Sequence, residues 1–206
     1  MTNQTCVNNK KIIKIGITGG TGSGKTSVCK HLKDKGFQVI DSDAIAKKIL
    51  DKDSNAYNTV VSHFGKFILK SNGEINRKVL GSIVFDSPED LNFLQSVVTK
   101  KTVENIRSIL ETIVPEKNLI FLDAPILFEV GLDKYMDMVW MVLSPRDQRI
   151  KRLAMRDGIS DNEIEKRMSA QMPEEMKQKL SDIIILNDGT LDDLYLKVDK
   201  LLEDLT

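Results

Sequence analysis

Residues 19–27 read Gly19-Gly20-Thr21-Gly22-Ser23-Gly24-Lys25-Thr26-Ser27 and stand between an apolar run, residues 12–18, and a segment with helical spacing. They match the phosphate-binding loop (P-loop) pattern Gly-x-x-x-x-Gly-Lys-Ser/Thr in both letters and context. Glycines let the backbone turn tightly, so that N–H groups and the positive end of the following helix can surround polyphosphate oxygens. A plain Gly-rich turn would require neither the Lys nor the Thr. The sequence therefore predicts a site for a nucleoside triphosphate.

The residues of this P-loop have distinct predicted roles. Lys25 is expected to reach the β and γ phosphates as a point charge, and the Thr26 hydroxyl is expected to ligate Mg²⁺. The backbone from Gly22 to Ser27 is expected to hold the α and β phosphates. The predicted nucleotide-binding residues are Gly20, Thr21, Gly22, Ser23, Gly24, Lys25, Thr26 and Ser27.

Composition limits the class of protein. A chain of 206 residues with 41% apolar content can bury one sizeable core, with room for a small inserted subdomain. Lys plus Arg and Asp plus Glu number 30 each, so the net charge gives no argument for a nucleic-acid or membrane partner. Two cysteines, Cys6 and Cys29, are too few for a disulfide framework, and His31 and His63 lack partners at metal spacing. We expect a disordered tail at residues 1–10 and a cytoplasmic location.

Short apolar runs alternate with longer helical patterns along the chain. Strands buried on both faces read as continuous apolar runs, and the segments between them supply right-handed crossover helices. This rhythm predicts an α/β fold, with a parallel sheet between two layers of helices. The predicted strands are residues 12–18, 37–40, 118–123, 138–143 and 183–186. The predicted helices are residues 25–35, 44–50, 57–64, 77–85, 88–113, 145–156, 161–168, 173–180 and 191–205.

Carboxylates follow two of the predicted strands, where ligands of open parallel sheets collect. Asp43 is the candidate base, because a carboxylate near the γ phosphate can accept a hydroxyl proton and orient that oxygen for attack. The alternative is that Asp41 or Asp43 only caps the next helix. Asp123 ends an apolar strand that resembles a Walker B strand, so it is expected to hold Mg²⁺ directly or through water. A capping or turn Asp is the alternative there.

Basic residues cluster between residues 146 and 167, on two predicted helices. A mobile helical lid that carries an Arg over the triphosphate would exclude water and stabilise charge on the transferred group. We expect Arg156 to have this catalytic role, ahead of Arg149 and Arg152. The alternative is that these side chains face solvent.

The pattern outside the P-loop resembles the dephospho-coenzyme A kinase family, from Ile15 to about Gly189. Taken together in order, the matching motifs are specific. They are Thr18-Gly19-Gly20-Thr21-Gly22-Ser23-Gly24-Lys25, Val39-Ile40-Asp41-Ser42-Asp43, Phe64-Gly65, Gly73-Glu74-Ile75-Asn76-Arg77, Leu80, Val84-Phe85, Asp123-Ala124-Pro125-Ile126-Leu127-Phe128-Glu129, Arg152-Leu153, Arg156-Asp157-Gly158-Ile159-Ser160, Gln171, Ser181-Asp182-Ile183-Ile184, Asn187 and Gly189. One departure is Thr99-Lys100, where the family usually carries His-Pro. Without Pro that helix is expected to be straighter, and Lys100 would supply a donor if it points inward.

The resemblance implies transfer of phosphate from ATP to the ribose 3′-hydroxyl of dephospho-coenzyme A, the closing step of coenzyme A synthesis. It implies a P-loop kinase domain at residues 11–206, with a five-stranded parallel sheet, a helical acceptor subdomain at about 50–115 and a helical lid at about 146–175. The site residues that it implies are Asp43 as the base, Arg77, Pro125, Leu127 and Glu129 on the acceptor side, and Asn187 and Gly189 near the ATP base. An ion pair of Glu129 with a lid Arg is the alternative for that carboxylate.

Two other functions stay open at this point. One is another nucleoside or small-molecule kinase with the same core, and the other is a nucleotide-operated switch or ATPase. A switch would need a water-positioning residue and partner-facing loops, and the guanine-reading sequence Asn-Lys-x-Asp does not occur in the chain. A kinase is therefore favoured. We expect a monomer or weak homo-oligomer without a nucleic-acid or membrane partner.

Overall fold

The computed structural model describes residues 12–205, so the predicted tail and Cys6 lie outside the described residues. Its strands are β1 (Ile13–Thr18), β2 (Gln38–Asp41), β3 (Leu119–Asp123), β4 (Met138–Leu143) and β5 (Ile183–Leu186). Its α-helices are α1 (Lys25–Asp34), α2 (Ser42–Lys48), α3 (Asn55–Phe64), α4 (Arg77–Asp86), α5 (Pro88–Thr112), α6 (Arg146–Asp157), α7 (Asp161–Ser169), α8 (Glu174–Leu180) and α9 (Leu191–Glu203). Two short 3₁₀ turns, Lys66–Ile68 and Asp133–Tyr135, complete the elements.

The five strands form one parallel sheet in the order β2-β3-β1-β4-β5. The register places Ile17 of β1 beside Asp123 of β3 and beside Trp140 of β4. The central strands are continuous apolar runs because both of their faces are covered, and Leu119 to Leu122 are all fully buried. The predicted α/β fold with a five-stranded parallel sheet is confirmed. The strands are parallel, so the carboxyl ends of β1, β3, β4 and β5 lie on the same side of the sheet. The loops that follow these strands lie there too.

The main core lies between the sheet and two helices. Helix α1 contributes Val28, Cys29 and Leu32, and helix α9 contributes Leu194, Val198 and Leu202. These side chains pack with Phe121 and Trp140, whose rings lie 5.5 Å apart. Burial of one large apolar side chain stabilises the fold by about 1.5–3 kcal/mol, so this cluster fixes α1 and the P-loop before it.

The chain divides into two compact units, one of which is Asp41–Ile113. That unit contains α2 to α5 and has its own core of Tyr57, Val60, Phe64, Ile68, Ile75, Leu80 and Val84. The Tyr57 hydroxyl donates to the Gly73 carbonyl at 2.6 Å, and the Asn76 side chain caps α4. The unit begins before the predicted acceptor subdomain, whose role in binding stays a prediction.

Helix α5 runs without a break for 25 residues, from a Ser87 cap and Pro88 at its first position. Thr99 and Lys100 both lie in it and both are exposed. Lys100 is thus not directed inward, so the condition under which it would supply a donor is not fulfilled in this structure. Within residues 12–205, no helix is both long and apolar enough to cross a membrane.

Helices α6 and α7 make up most of the predicted lid segment. Gly158 ends α6 in the left-handed conformation, with φ of 63°, and Ser160 begins α7 with a capping box to Glu163. Arg167 forms an ion pair with Asp157 at 2.8 Å, which joins the two helices. The movement of this segment as a lid stays a prediction.

Two exposed glycines with open space around them give opposite expectations for substitution by Ala. Gly81→Ala is expected to raise the free energy of unfolding by about 0.5–1 kcal/mol, because Gly81 lies inside α4 and Ala loses less entropy there. Gly158→Ala is expected to lower it by about 1–2 kcal/mol, because a side chain disfavours the left-handed backbone. Urea unfolding followed by circular dichroism measures both variants. Equal shifts of the two midpoints would contradict this interpretation of the backbone.

Candidate active site

The P-loop shapes the start of α1 for an anion. Gly24 has φ of 98° and precedes Lys25, and within the described residues no side chain caps this helix. The Ser23 N–H donates to the Gly20 carbonyl at 3.0 Å, which closes the loop on itself. The buried Ser23 hydroxyl has no hydrogen-bond partner in the described structure. The open helix terminus, its positive dipole end and this spare hydroxyl fit a polyphosphate.

Asn187 supports the P-loop from the end of β5. Its side-chain amide donates to the Ser23 carbonyl at 2.8 Å, and its backbone N–H donates to the Leu143 carbonyl at 2.6 Å. An added Cβ at Gly24 would overlap the Asn187 amide, so a glycine is required there for space as well as for φ. Gly189 similarly leaves room for Asp193, which caps α9 together with Thr190. Contact of Asn187 and Gly189 with the ATP base stays a prediction.

Lys25 and Asp123 form an ion pair between the P-loop helix and the end of β3. The structure therefore joins the residue predicted to hold phosphate with a residue predicted to hold metal. The buried Cys29 thiol lies on the same helix as Lys25 and feels the charge of Asp123. Burial raises the pKa of the Cys29 thiol well above its ordinary value, and the Asp123 carboxylate raises it further. Cys29 is thus a protonated core residue at neutral pH.

The donor set next to the P-loop fits Mg²⁺ in chemistry. Thr26 is an exposed residue in the first turn of α1, and Asp123 contacts the adjacent Lys25. Hydroxyl and carboxylate oxygens are ligands that Mg²⁺ prefers, with phosphate and water completing its shell. No cluster of three or more His, Cys, Asp or Glu occurs among residues 12–205 that could hold a metal alone. The roles of Thr26 and Asp123 as metal ligands stay predictions.

Arg149 is the arginine of the predicted lid segment that lies against the P-loop. Its side chain is 5% exposed, its Nε donates to the Thr21 carbonyl at 2.9 Å, and it forms an ion pair with Glu174. An added Cβ at Gly20 would come within 2.6 Å of the guanidinium. Spacing on α6 does not distinguish Arg149 from the other basic residues, because its burial comes from contacts with Thr21 and Glu174, which are distant in the sequence.

Arg156 has a different environment from the one expected for a catalytic residue. Its exposed guanidinium donates to both carboxylate oxygens of Asp157, at 2.7 and 3.0 Å. This pair lowers the pKa of Asp157 and raises that of Arg156. Arg152 donates to Ser144 and Gln148. The structure thus brings Arg149, not Arg156, to the P-loop, and catalysis by Arg156 stays a prediction.

The predicted acceptor segment, residues 125–129, is held by its polar groups. The Pro125 carbonyl accepts from the Thr18 hydroxyl at 3.3 Å and from Lys177 Nζ at 2.6 Å. Glu129 pairs with Lys177 at 2.8 Å, so its partner is this lysine instead of a lid Arg. Leu127 is fully buried, so its side chain belongs to the core. Any acceptor contact at Leu127 would have to use its backbone, and acceptor binding by Pro125 and Glu129 stays a prediction.

Asp41, Asp43 and Arg77 lie in the second compact unit. The Asp41 carboxylate accepts from the Ala44 N–H at 2.9 Å and is the N-cap of α2, so the capping role falls to Asp41. Asp43 is exposed in the first turn of α2. The Arg77 guanidinium donates to the Lys47 carbonyl near the other end of that helix. The base role of Asp43 and the acceptor role of Arg77 stay predictions.

Arg149→Met and Arg156→Met form a matched pair on α6. Arg149→Met removes the hydrogen bond that holds the Thr21 carbonyl of the P-loop. A hydrogen bond to a charged group contributes about 1.5–3 kcal/mol, so the affinity for ATP is expected to fall about tenfold or more. Arg156→Met is expected to leave ATP affinity near that of the parent protein. Titration calorimetry with ATP measures both, and the double variant Arg149→Met with Glu174→Gln controls for the carboxylate left unpaired. Equal affinity losses in the two single variants would contradict the assignment.

The chain is similar to several known proteins over most of its length. The family model described as dephospho-CoA kinase matches residues 13–193. A dephospho-CoA kinase of Carboxydothermus hydrogenoformans is 40% identical over 179 residues, which cover 86% of this chain and 87% of that protein. The structure of dephospho-CoA kinase from Campylobacter jejuni aligns with a TM-score of 0.69 at 28% identity, covering 93% of this chain and 96% of that chain. Shikimate kinase from Acinetobacter baumannii, at 14% identity and a TM-score of 0.54 over 95% of each chain, shares the fold. The chain therefore belongs to the dephospho-CoA kinase family.

Proposed function

We propose that this protein transfers the γ-phosphoryl group of ATP to the ribose 3′-hydroxyl of dephospho-CoA and releases ADP and coenzyme A. The observation that carries the proposal is the family match over residues 13–193, which contains both the P-loop and Asp43. A kinase of this fold uses ATP as its co-substrate. We place the reaction in the cytoplasm, where a biosynthetic kinase finds its ATP.

The P-loop binds and orients the phosphates in this proposal. The backbone N–H groups of Gly22, Gly24, Lys25 and Thr26 and the Lys25 ammonium face the phosphate oxygens and stabilise the charge that spreads over them during transfer. Asn187 and Arg149 hold the Ser23 and Thr21 carbonyls, so the loop keeps its shape before ATP arrives. Because the loop is preorganised, the free-energy cost of ordering it when the ligand binds is small.

Asp43 acts on the acceptor in this proposal. Its carboxylate accepts the proton of the ribose 3′-hydroxyl and orients that oxygen toward the γ phosphorus. The new bond joins the 3′ oxygen to the γ phosphorus, and the bond from the γ phosphorus to the bridging oxygen of ADP breaks. Arg77 and residues 125–129 hold dephospho-CoA, with Arg77 providing a cation for its phosphates.

Thr26 and Asp123 would hold Mg²⁺, which neutralises charge on the β and γ phosphates when it is bound. The lid segment, residues 146–175, excludes water from the transfer and so limits hydrolysis of ATP. We propose that Arg156 contributes charge from the lid after it exchanges its Asp157 partner for phosphate. The protein works as a monomer or weak homo-oligomer in this proposal.

An acceptor comparison tests the function directly. ADP release is followed with Mg-ATP alone, with added dephospho-CoA and with added nucleosides. We expect a rate with dephospho-CoA that far exceeds the acceptor-free rate, and a product phosphorylated at the 3′ position by mass spectrometry and phosphorus NMR. Stimulation by nucleosides alone would indicate a different kinase, and turnover independent of any acceptor would indicate an ATPase.

Asp43→Asn is expected to lower kcat by about 10²–10⁴-fold, the usual contribution of a general base, while ATP still binds. Lys25→Ala, in contrast, is expected to weaken ATP binding itself. Asp41→Asn is the matched control, because Asn caps a helix as well as Asp does. Initial rates and ATP titrations separate the three variants. Near-parental turnover by Asp43→Asn would rule out its role as the base.

A further inference from the structure

Lys177 is a buried lysine that the sequence pattern did not single out. It lies in the polar helix α8, yet its side chain is only 1% exposed. Burial of an ammonium group is costly unless it is paired and hydrogen-bonded. The position of this cation therefore requires specific partners.

Both partners of Lys177 belong to the predicted acceptor segment, residues 125–129. The Nζ atom donates to the Pro125 carbonyl at 2.6 Å and lies 2.8 Å from Glu129 Oε1. Pro125 comes two residues after Asp123, the partner of Lys25. One ammonium group thus joins both ends of this segment.

The chain just before Lys177 is attached to the P-loop. The Gln171 side-chain oxygen accepts from the Thr21 N–H at 3.2 Å and from the Thr21 hydroxyl at 3.3 Å. The Met172 N–H donates to Glu129 at 2.9 Å. Residues 171–177 therefore connect the P-loop to the segment that begins at Pro125.

We propose that Lys177 is a positioning residue for phosphoryl transfer, which holds residues 125–129 at a fixed place relative to the P-loop. This inference rests on the proposed function, in which that segment binds dephospho-CoA. Without the ammonium group, the Pro125 carbonyl keeps only the longer hydrogen bond from Thr18, and Glu129 loses its cation. Pro125 and Glu129 then lose these restraints while Leu127 stays in the core, and small displacements of a bound reactant reduce the rate strongly.

Lys177→Met tests this role, because Met keeps an unbranched side chain as far as the ε position and removes the ammonium group. We expect the KM for dephospho-CoA to rise about tenfold and kcat to fall, while the Kd for ATP without acceptor changes by less than about twofold. Lys177→Arg is expected to restore most of the acceptor affinity. Lys179→Met, an exposed lysine of the same helix, is the matched control and is expected to match the parent protein.

A double-variant cycle with Glu129→Gln examines the pair itself. If Lys177 acts through Glu129 and Pro125, the effects of Lys177→Met and Glu129→Gln on the KM for dephospho-CoA are less than additive. Additive effects would contradict coupling between the two side chains. If Lys177→Met does not fold, Lys177→Gln keeps a hydrogen-bond donor for Pro125 and replaces it in the cycle.

Two outcomes would overturn the positioning role. One is an unchanged KM for dephospho-CoA in folded Lys177→Met, and the other is an equal loss of ATP and acceptor affinity, which a general structural defect produces. Failure of the proposed function is a separate result, because the parent protein would then not phosphorylate dephospho-CoA at all.

Discussion

The ion pair of Lys25 with Asp123 is the interaction on which the arrangement of the site depends. It forms because β1 and β3 are neighbours in register, so that the helix after β1 begins beside the last residue of β3. The central strands are held by apolar burial, and β3 carries its single carboxylate at its last residue, Asp123. Asn187 and Arg149 then support the P-loop from other elements at the same edge. Packing of the sheet and helices therefore determines the positions of the polar side chains of the site before any ligand binds.

The fold could be predicted closely because its signals are local. Each of the five strands was predicted within one residue of its observed ends, since every one of them is a short, mostly apolar run between more polar segments. The long helix α5 was clear from its spacing and from Pro88 at its start. The 3₁₀ turns at Lys66–Ile68 and Asp133–Tyr135 were not predicted, because three residues carry no period.

The site could be predicted only in part. The P-loop motif predicts Lys25 directly, and the strand pattern predicts Asp123. The ion pair between them follows from the topology of the parallel sheet. Arg149 and Lys177 were ranked low or missed, because burial of a cation depends on carboxylates far away in the sequence, such as Glu174 and Glu129. Residue type and spacing on one helix do not reveal such partners. Family resemblance likewise gave Asn187 a place near ATP but not its contact with Ser23.

The protonated Cys29 behind the P-loop has a consequence for chemical durability. Thiols react with oxidants and alkylating agents through their ionised form, which needs both access and a low pKa. Cys29 has neither, because it is enclosed by the sheet and faces a negatively charged neighbour. Oxidation or alkylation of Cys29 is therefore disfavoured in the folded protein. The folded core protects the Cys29 thiol, in the helix that follows the P-loop, from oxidation.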